Sequence, residues 1–346
     1  MTSVAKRPSN LKAALTEKRY GSADNNTGLA LNISLGHNDD LLSVATAHAR
    51  DADALCLDVA AIIFPSATLS PSEATISAVS VKLLQIIRDI EVRIAGETRD
   101  PRTWPLLVRS GFLRETALVD YAMARVAEDR LDVRLGTGQR IFVNELLDHR
   151  EAGVAEAAQI LLAADSLHLR AQGQTYLNLP PELLHKSCWR VVAALEVSQG
   201  ERSDEVINAA HDLIALYDEA RTAPAAARKI IHFLGEDMRG DLLDAQKCGV
   251  HLFVAQLSAE LNLEHDHILR IIDFESALSF MIMLAAMGLP KSDALRTLIN
   301  LRGDLLSPRE AAIFETSYAG IAPQAALETV ASWSASRLSL LTFGLK

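Results

Sequence analysis

The sequence predicts an all-α protein, and three observations support that prediction. Apolar residues make up 49% of the 346-residue chain but aromatic residues only 5%, and the chain is poor in the β-branched and aromatic runs that strands favour. From about Leu41 onward, apolar side chains recur every three or four residues, as on one face of an α-helix. Gly, Pro and capping residues separate these segments. We therefore expect either a helical repeat of the HEAT-like or α-solenoid type or an orthogonal helix array, in one or two subdomains.

Two helix starts have a complete capping signature. Ser70-Pro71-Ser72-Glu73 and Ser307-Pro308-Arg309-Glu310 each place Ser at the N-cap, Pro at the first helical position and Glu at the third. The first helix is predicted to run to about Gly96. Its apolar stripe consists of Ile76, Val79, Leu83, Ile87, Ile90 and Ile94.

The rest of the chain divides into further short helices. We expect a helix after Asp100-Pro101, another over Phe112–Leu131, and an alanine-rich one over Glu151–Ala164 that allows close helix contacts. Ser203 is expected to cap a helix whose apolar face includes Val206, Ala210, Leu213 and Tyr217. The later helices are predicted at about 224–234, 242–261, 264–272, 275–287, 293–301, 308–318 and 323–335. Asp132–Asn144 is interpreted as a loop or a short hairpin.

The domain organisation follows from composition. Residues 1–40 are rich in Ser, Asn, Gly and charge and predict a mobile leader without a signal peptide. Polar turn residues and two prolines interrupt the helical pattern over Gln172–Pro181. We therefore predict an N-terminal helical domain over residues 41–175 and a C-terminal helical-repeat domain over residues 176–346.

Charge and cysteine content exclude several functions. The net charge of −10 disfavours nucleic acid as a partner, and the interleaved arginines and acids between Arg88 and Arg150 are interpreted as pairs on exposed helix faces. The longest apolar stretch, Ala277–Leu289, is about 13 residues, too short to span a bilayer. The three scattered cysteines, Cys56, Cys188 and Cys248, indicate buried thiols in a reducing cytoplasmic compartment.

Two polar clusters are candidate metal sites. His211-Asp212 resembles the pair that HD-type metal-dependent phosphohydrolases place on a helix, but both side chains lie more than 100° from the centre of the apolar face and are predicted to diverge toward solvent. His185 and Asp237 could complete such a site. In Glu264-His265-Asp266-His267 the histidines are two residues apart and do not share a helix face, so a helix start capped by Asn262 or an adjacent residue is preferred.

Other motifs do not indicate catalysis. Gly136-Thr137-Gly138 is interpreted as a turn, and no GxSxG or phosphate-binding loop occurs. We therefore predict no catalytic residues, no cofactor and no metal. Met281, Met283 and Met287 could form an adaptable partner surface, although core packing is the commoner use of methionine. Trp104, Trp189 and Trp333 are interpreted as packing residues, and Leu340–Leu345 either docks on its own domain or forms an interface.

The C-terminal third to half of the chain resembles a known family. The resemblance rests on segments 240–242, 252–257, 261–263 and 268–273 and on Ala286-Met287-Gly288-Leu289-Pro290. These are similar to HEAT-like helical proteins of unknown function that are common in alphaproteobacteria. The resemblance implies a helical-repeat fold and brings no catalytic residues.

Three functions follow as hypotheses. The leading one is a non-enzymatic interaction or regulatory scaffold whose partner is another protein, with a homo-oligomer as one form of that partner. The alternative is a ligand-responsive regulator with a small-molecule pocket between helices. A metal-dependent phosphohydrolase that uses His211 and Asp212 is the third.

Overall fold

A computed structural model describes residues 42–43, 45–46, 73–96, 103–136, 140–169, 178–199, 203–234, 237–274 and 276–343. All of them belong to one compact unit, residues 35–346. Within these ranges the regular secondary structure is helical and no strand is present. The predicted all-α class is therefore confirmed. The predicted leader at residues 1–40, the cap at Ser70 and the thiol of Cys56 lie outside the described residues.

Fifteen α-helices account for most of the described chain. They are α1 Glu73–Ala95, α2 Trp104–Arg109, α3 Thr116–Leu135, α4 Arg140–Glu145, α5 Ala152–Leu169, α6 Pro181–Gln199, α7 Asp204–Leu216, α8 Ala223–Leu234, α9 Arg239–Leu242, α10 Ala245–Leu261, α11 His265–Asp273, α12 Leu278–Ala286, α13 Lys291–Arg302, α14 Pro308–Ser317 and α15 Pro323–Phe343. Short 3-10 turns, such as Phe112–Arg114, connect several of them.

The capping residues act as the sequence predicts. The Ser307 hydroxyl accepts from the Glu310 backbone N–H at 3.2 Å, and a Glu310 carboxylate oxygen accepts from the Ser307 N–H at 3.0 Å. At the start of α7, Ser203 Oγ accepts from the Val206 N–H at 3.4 Å. Each cap satisfies a backbone group that the first helical turn leaves without a partner.

The apolar stripe of α1 is buried as predicted. Val79, Leu83, Ile87, Ile90 and Ile94 are buried, and Ile76 is half-buried. They contribute to a core shared with α3, α6 and α7. The three- and four-residue spacing therefore identified the packed face of this helix correctly.

The segment Asp132–Asn144 differs from its prediction. Residues 132–135 continue α3, and residues 140–144 belong to α4, with residues 137–139 undescribed. Neither described part is a loop or a hairpin. Apolar residues precede and follow the glycines, and burial of Phe142 and Val143 stabilises a helical turn here.

Most of the extensive helix contacts join segments that are far apart in the sequence. The most extensive packing is between α5 and α8, α3 and α11, α8 and α10, and α12 and α15. Repeats of a solenoid contact mainly their sequence neighbours, whereas α3 packs on α11 and α5 on α8 across intervening helices. The fold is an all-α helical array in which α3 and α10 each contact several other helices.

This packing joins both halves of the chain. α5 comes from the predicted N-terminal domain and α8 from the predicted C-terminal one, and the same is true of α3 and α11. The predicted boundary between residues 175 and 176 therefore falls inside one compact unit. None of the described helices is long and apolar enough to cross a membrane.

Two backbone positions shape the region around α10. Gly249 has φ of 85° and ψ of 168°, which interrupts α10 just before His251. Glycine adopts this conformation without the steric penalty that a Cβ would add. Asn262 ends α10 in the left-handed region, with φ of 52°. It was predicted as a possible cap of α11, but the N-cap of that helix is Glu264.

Candidate functional site

The residues singled out in the sequence occupy separate parts of the fold. His211 and Asp212 are both exposed on α7, as their angular positions predict. Among the described residues, no three His, Cys, Asp or Glu side chains lie close enough together to bind a metal ion. Met281 and Met283 are fully buried and Met287 is 3% exposed, so these side chains fill the core and are not part of the surface.

The cysteines are placed in the core. Cys188 on α6 and Cys248 on α10 are free thiols with almost no exposure. Burial raises the pKa of Cys188 to about 12 and raises the pKa of Cys248 further. Since the thiolate is the reactive form, neither thiol is prepared for nucleophilic chemistry.

A groove runs along the exposed face of α6. It has a volume of about 750 Å³, is open along its length, and is lined by Pro181, Glu182, His185, Lys186, Trp189, Arg190 and Ala193. We call it the α6 groove. The lining residues form two rows at four-residue spacing, while Leu184, Cys188, Val191, Val192 and Leu195 bury the opposite face of the helix.

Trp189 is the aromatic centre of the α6 groove. Its indole N–H donates to Nε2 of His185 at 3.1 Å, and its ring meets the His211 ring edge-on with centroids 4.9 Å apart. His185 Nε2 must be unprotonated to accept this hydrogen bond. The indole is half-buried, so it presents apolar surface to solvent while its N–H is satisfied.

The charges of the α6 groove are only partly paired. Lys186 Nζ lies 2.5 Å from a carboxylate oxygen of Glu115. Arg190 lies 6.0 Å above the Phe112 ring, at the limit of a cation–π contact. Neither Arg190 nor Glu182 forms an ion pair within the part of the chain that the structure describes. The groove therefore presents one negative side chain, Glu182, and one positive side chain, Arg190, that are both available to a partner.

A second cluster of polar side chains lies inside the molecule, where α3, α5, α10 and α11 meet. Arg125 bridges Glu128 and Asp266, with 2.5 Å between Nη2 and Asp266 Oδ1. His251 Nε2 lies 3.0 Å from Glu128 Oε1 and 3.1 Å from Asp165 Oδ1. We call Arg125, Glu128, Asp165, His251, His265 and Asp266 the buried ion cluster.

The two histidines of the buried ion cluster have opposite pKa shifts. Burial lowers the pKa of His251, but the carboxylates of Glu128 and Asp165 outweigh burial and raise it to about 9. Burial lowers the pKa of His265 well below its usual value, and the positive charges of Arg125, His251 and Arg228 lower it further. The rings are stacked with centroids 6.3 Å apart. A protonated imidazole thus lies beside a neutral one.

More ion pairs extend from this cluster along the seam between α3 and α11. Arg270 pairs with Asp120, and Asp273 accepts from Arg130 at 2.7 Å and from Arg134 at 3.1 Å. Three arginines of α3 and one arginine of α11 thus pair with carboxylates of the other helix. Breaking one such buried pair leaves an uncompensated charge, so the seam fixes how α3 and α11 dock.

The buried ion cluster corrects one interpretation of the sequence. The acids and arginines between Arg88 and Arg150 were expected on exposed faces, yet Arg125 is 4% exposed and Glu128 2%. Glu91 is also fully buried and accepts from the Thr103 hydroxyl at 2.6 Å. For Arg125 and Glu128 the prediction was wrong because every position from 121 to 128 is buried, so α3 has no exposed face there.

The sequence contains the charges of this seam but does not show how they pair. In α11, Asp266, Arg270 and Asp273 recur at four- and three-residue spacing with alternating sign. In α3, Asp120, Arg125 and Arg130 recur at five-residue spacing. They pair with Arg270, Asp266 and Asp273, respectively. The contacts cross in sequence order, since Asp266 pairs with Arg125 and Arg270 pairs with Asp120. Charge spacing along each helix therefore does not by itself predict how the two helices dock.

Comparison with known proteins adds no further assignment to these sites. No protein-family model, no curated protein and no solved structure matches the chain.

Proposed function

We propose that the chain is a non-enzymatic interaction or regulatory scaffold that binds another protein through the α6 groove. The observation that supports this most directly is the composition of the groove. It combines a half-buried Trp189 with Arg190, which forms no ion pair among the described residues. Tryptophan and arginine are the residue types most enriched among those that dominate the affinity of protein interfaces.

The shape of the α6 groove favours a protein partner over a small molecule. A volume of about 750 Å³ is within the range of ligand pockets, and this supports the alternative of a ligand-responsive regulator. However, small-molecule sites enclose most of the ligand, whereas this groove is open and follows one helix face. An extended surface of this kind fits a helix or an extended segment of another protein.

The position of the histidines argues against the hydrolase hypothesis. His211 and His185 both contact the Trp189 ring, and the His185 Nε2 lone pair accepts the indole hydrogen bond. That lone pair is therefore engaged within the groove. Asp212 is exposed on α7 and belongs to no described metal-binding group.

The resemblance of segments within residues 240–290 to HEAT-like helical proteins also favours a scaffold, although these segments do not include α6. Helical arrays of this kind present extended surfaces, and such surfaces are commonly used to bind other proteins. Membership of that family remains part of the proposal.

Site-specific photo-crosslinking in cells that express the protein tests this function. A photoreactive amino acid replaces Ala193, which is exposed in the α6 groove, and in a control replaces Ala163, which is exposed on α5. We expect a discrete protein adduct from position 193 and none from position 163. The adduct should disappear when Arg190→Glu is added.

Two results would count against the proposal. One is the absence of any discrete adduct from position 193 at full expression of the folded protein. The other is an identical set of adducts from positions 193 and 163, which would indicate random encounters and not a specific surface.

A further inference from the structure

We propose that the protein that occupies the α6 groove is a second copy of this chain, with the two α6 helices antiparallel about a two-fold axis near Lys186. This inference rests on the proposed function of the α6 groove and names its partner. It is argued from the charges of Glu182, Lys186 and Arg190 and from the spacing of the two rows that line the groove.

Charge complementarity is the first argument. Glu182 and Arg190 lie on one row of α6, with opposite charges and without ion pairs among the described residues. They are separated by about 12 Å along the helix axis, with Lys186 midway between them. A two-fold axis at Lys186 places Glu182 opposite Arg190 of the partner subunit. The same operation places Arg190 opposite Glu182 of the partner subunit, so the surface is self-complementary.

The spacing of the rows is the second argument. Glu182, Lys186 and Arg190 form one row at four-residue spacing, and His185, Trp189 and Ala193 form the neighbouring row. Rows of this spacing from two helices interdigitate at a crossing angle of about −50°, the commonest class of helix packing in globular proteins. The α6 groove thus has the ridges that a second helix of the same kind needs.

The charge at the axis is the third argument. Two lysines would meet where the helices cross, and unpaired they would repel each other. Each Lys186 is instead neutralised by Glu115 of its own chain, with Nζ and the carboxylate oxygen 2.5 Å apart. The positive charge of each Lys186 is therefore compensated within its own chain before the two copies meet.

The size of the surface predicts the strength of the dimer. From Pro181 to Ala193 the lined face of α6 extends for about 18 Å at the rise of an α-helix. At a helix diameter of about 10 Å, this face covers roughly 200 Å², well below the ~800 Å² per partner of a standard interface. We therefore expect a weak dimer, with a Kd of the order of micromolar, in equilibrium with the monomer.

Sedimentation velocity over a range of concentrations tests the dimer with the full chain. The wild type should shift from monomer to dimer as its concentration rises. Glu182→Arg and Arg190→Glu should each weaken association at least about tenfold, since each places like charges opposite one another. The double variant E182R/R190E should recover association, because the two charges are exchanged together.

A mixture provides the sharpest outcome. Equal amounts of E182R and R190E should form a heterodimer. Positions 182 and 190 are both positive in the first variant and both negative in the second, so opposite charges then face each other. Arg296→Glu, on the exposed face of α13, is the matched control and should dimerise like the wild type. Circular dichroism of every variant confirms that it is folded.

Several outcomes would overturn the dimer. These are a wild type that stays monomeric at hundreds of micromolar, single variants that associate like the wild type, and a double variant or mixture that recovers nothing. The photo-crosslink from position 193 distinguishes failure of the dimer proposal from failure of the proposed interaction function. An adduct of twice the chain mass supports both, an adduct with a different protein supports the interaction function alone, and no adduct contradicts both.

Discussion

The imidazole of His251 and the carboxylate of Glu128, with Nε2 and Oε1 3.0 Å apart, connect α10 to α3 in the interior of the molecule. His251 is 8% exposed and Glu128 2% exposed. Removing two charges from water is unfavourable unless both are paired. Here Glu128 also pairs with Arg125, and His251 also pairs with Asp165. The free energy of unfolding should therefore depend on the protonation of this pair.

We predict that the protein loses stability as the pH rises from about 6.5 to about 9. Glu128, Asp165 and Asp132 raise the pKa of His251 to about 9 against the effect of burial. A histidine whose pKa is higher in the folded protein than in the unfolded chain stabilises the fold. This stabilisation is complete below about pH 6.5 and is lost as the pH rises through about 9. Urea unfolding at a series of pH values measures this loss. It should amount to a few kcal/mol, since one pKa unit is about 1.4 kcal/mol.

The variant His251→Gln identifies the group responsible. It should be less stable than the wild type at pH 6.5, and its stability should no longer fall between pH 6.5 and 9. An unchanged slope in this variant would show that another group titrates in that range.

For His265 we predict the opposite pH dependence: the protein should lose stability as the pH falls. Burial and the cations Arg125, His251 and Arg228 lower its folded-state pKa, so protonation favours the unfolded chain as the pH falls below about 6.5. Neither ring nitrogen has a hydrogen-bond partner among the described residues. His265→Phe should therefore reduce the loss of stability between pH 6.5 and 5 without lowering stability at pH 7. A variant with the wild-type acid slope would contradict this assignment.

Arg125 should contribute strongly to stability because it is paired inside the protein. Arg125→Met removes the cation that bridges Glu128 and Asp266, and we expect a loss of about 3–5 kcal/mol in the free energy of unfolding. Lys229→Met removes a surface pair of similar length, 2.7 Å to Glu156, and should change stability little. Equal effects of the two substitutions in urea unfolding would mean that the buried pairing contributes nothing specific.

These residues show where prediction from sequence succeeds and where it stops. The apolar rows of α1 and α7 and the cap at Ser307 depend on local spacing and chemistry, and all three are found as predicted. In α3 and α10 the residues 121–128 and 248–257 are buried at every position. A helix that is buried all round has no amphipathic pattern, so the charges on α3 were assigned to solvent.

The α6 groove could be found only in part. The four-residue rows of α6 are readable in the sequence, but the contacts of Trp189 with His211 and of Lys186 with Glu115 join different elements. Such contacts depend on how helices pack, which the spacing within one helix does not determine. The same holds for His251 and Asp165, which are 86 positions apart in the sequence and 3.1 Å apart in space.

Glu310 should be more important to stability than its helix cap alone implies. Besides its reciprocal bonds with Ser307, its Oε1 accepts from the Ala277 N–H at 2.6 Å, next to the start of α12. Ser307→Ala should cost about 1 kcal/mol, as is usual for an N-cap. Glu310→Ala should cost more, since it also removes the partner of a backbone N–H from another helix. Thermal unfolding of the two variants compares them, and an equal cost would limit the role of Glu310 to the cap.

Gly153 and Phe233 should be energetically coupled through the close packing of α5 on α8. A Cβ added at Gly153 would lie 2.7 Å from two ring atoms of Phe233, which is too close without movement of the ring. Alanine favours a helix over glycine by up to about 1 kcal/mol. Overpacking a core costs roughly 1–3 kcal/mol, and the Phe233 ring, which is 36% exposed, can move at part of that cost. The clash should therefore offset most of the stabilisation that Gly153→Ala would otherwise give.

In a Phe233→Ala background the clash is absent, so the same substitution should stabilise the protein. A double-mutant cycle by urea unfolding measures the difference, and we expect a coupling energy of about 1 kcal/mol. If Gly153→Ala has the same effect in both backgrounds, the ring moves aside freely. The contact between α5 and α8 would then not require a glycine at position 153.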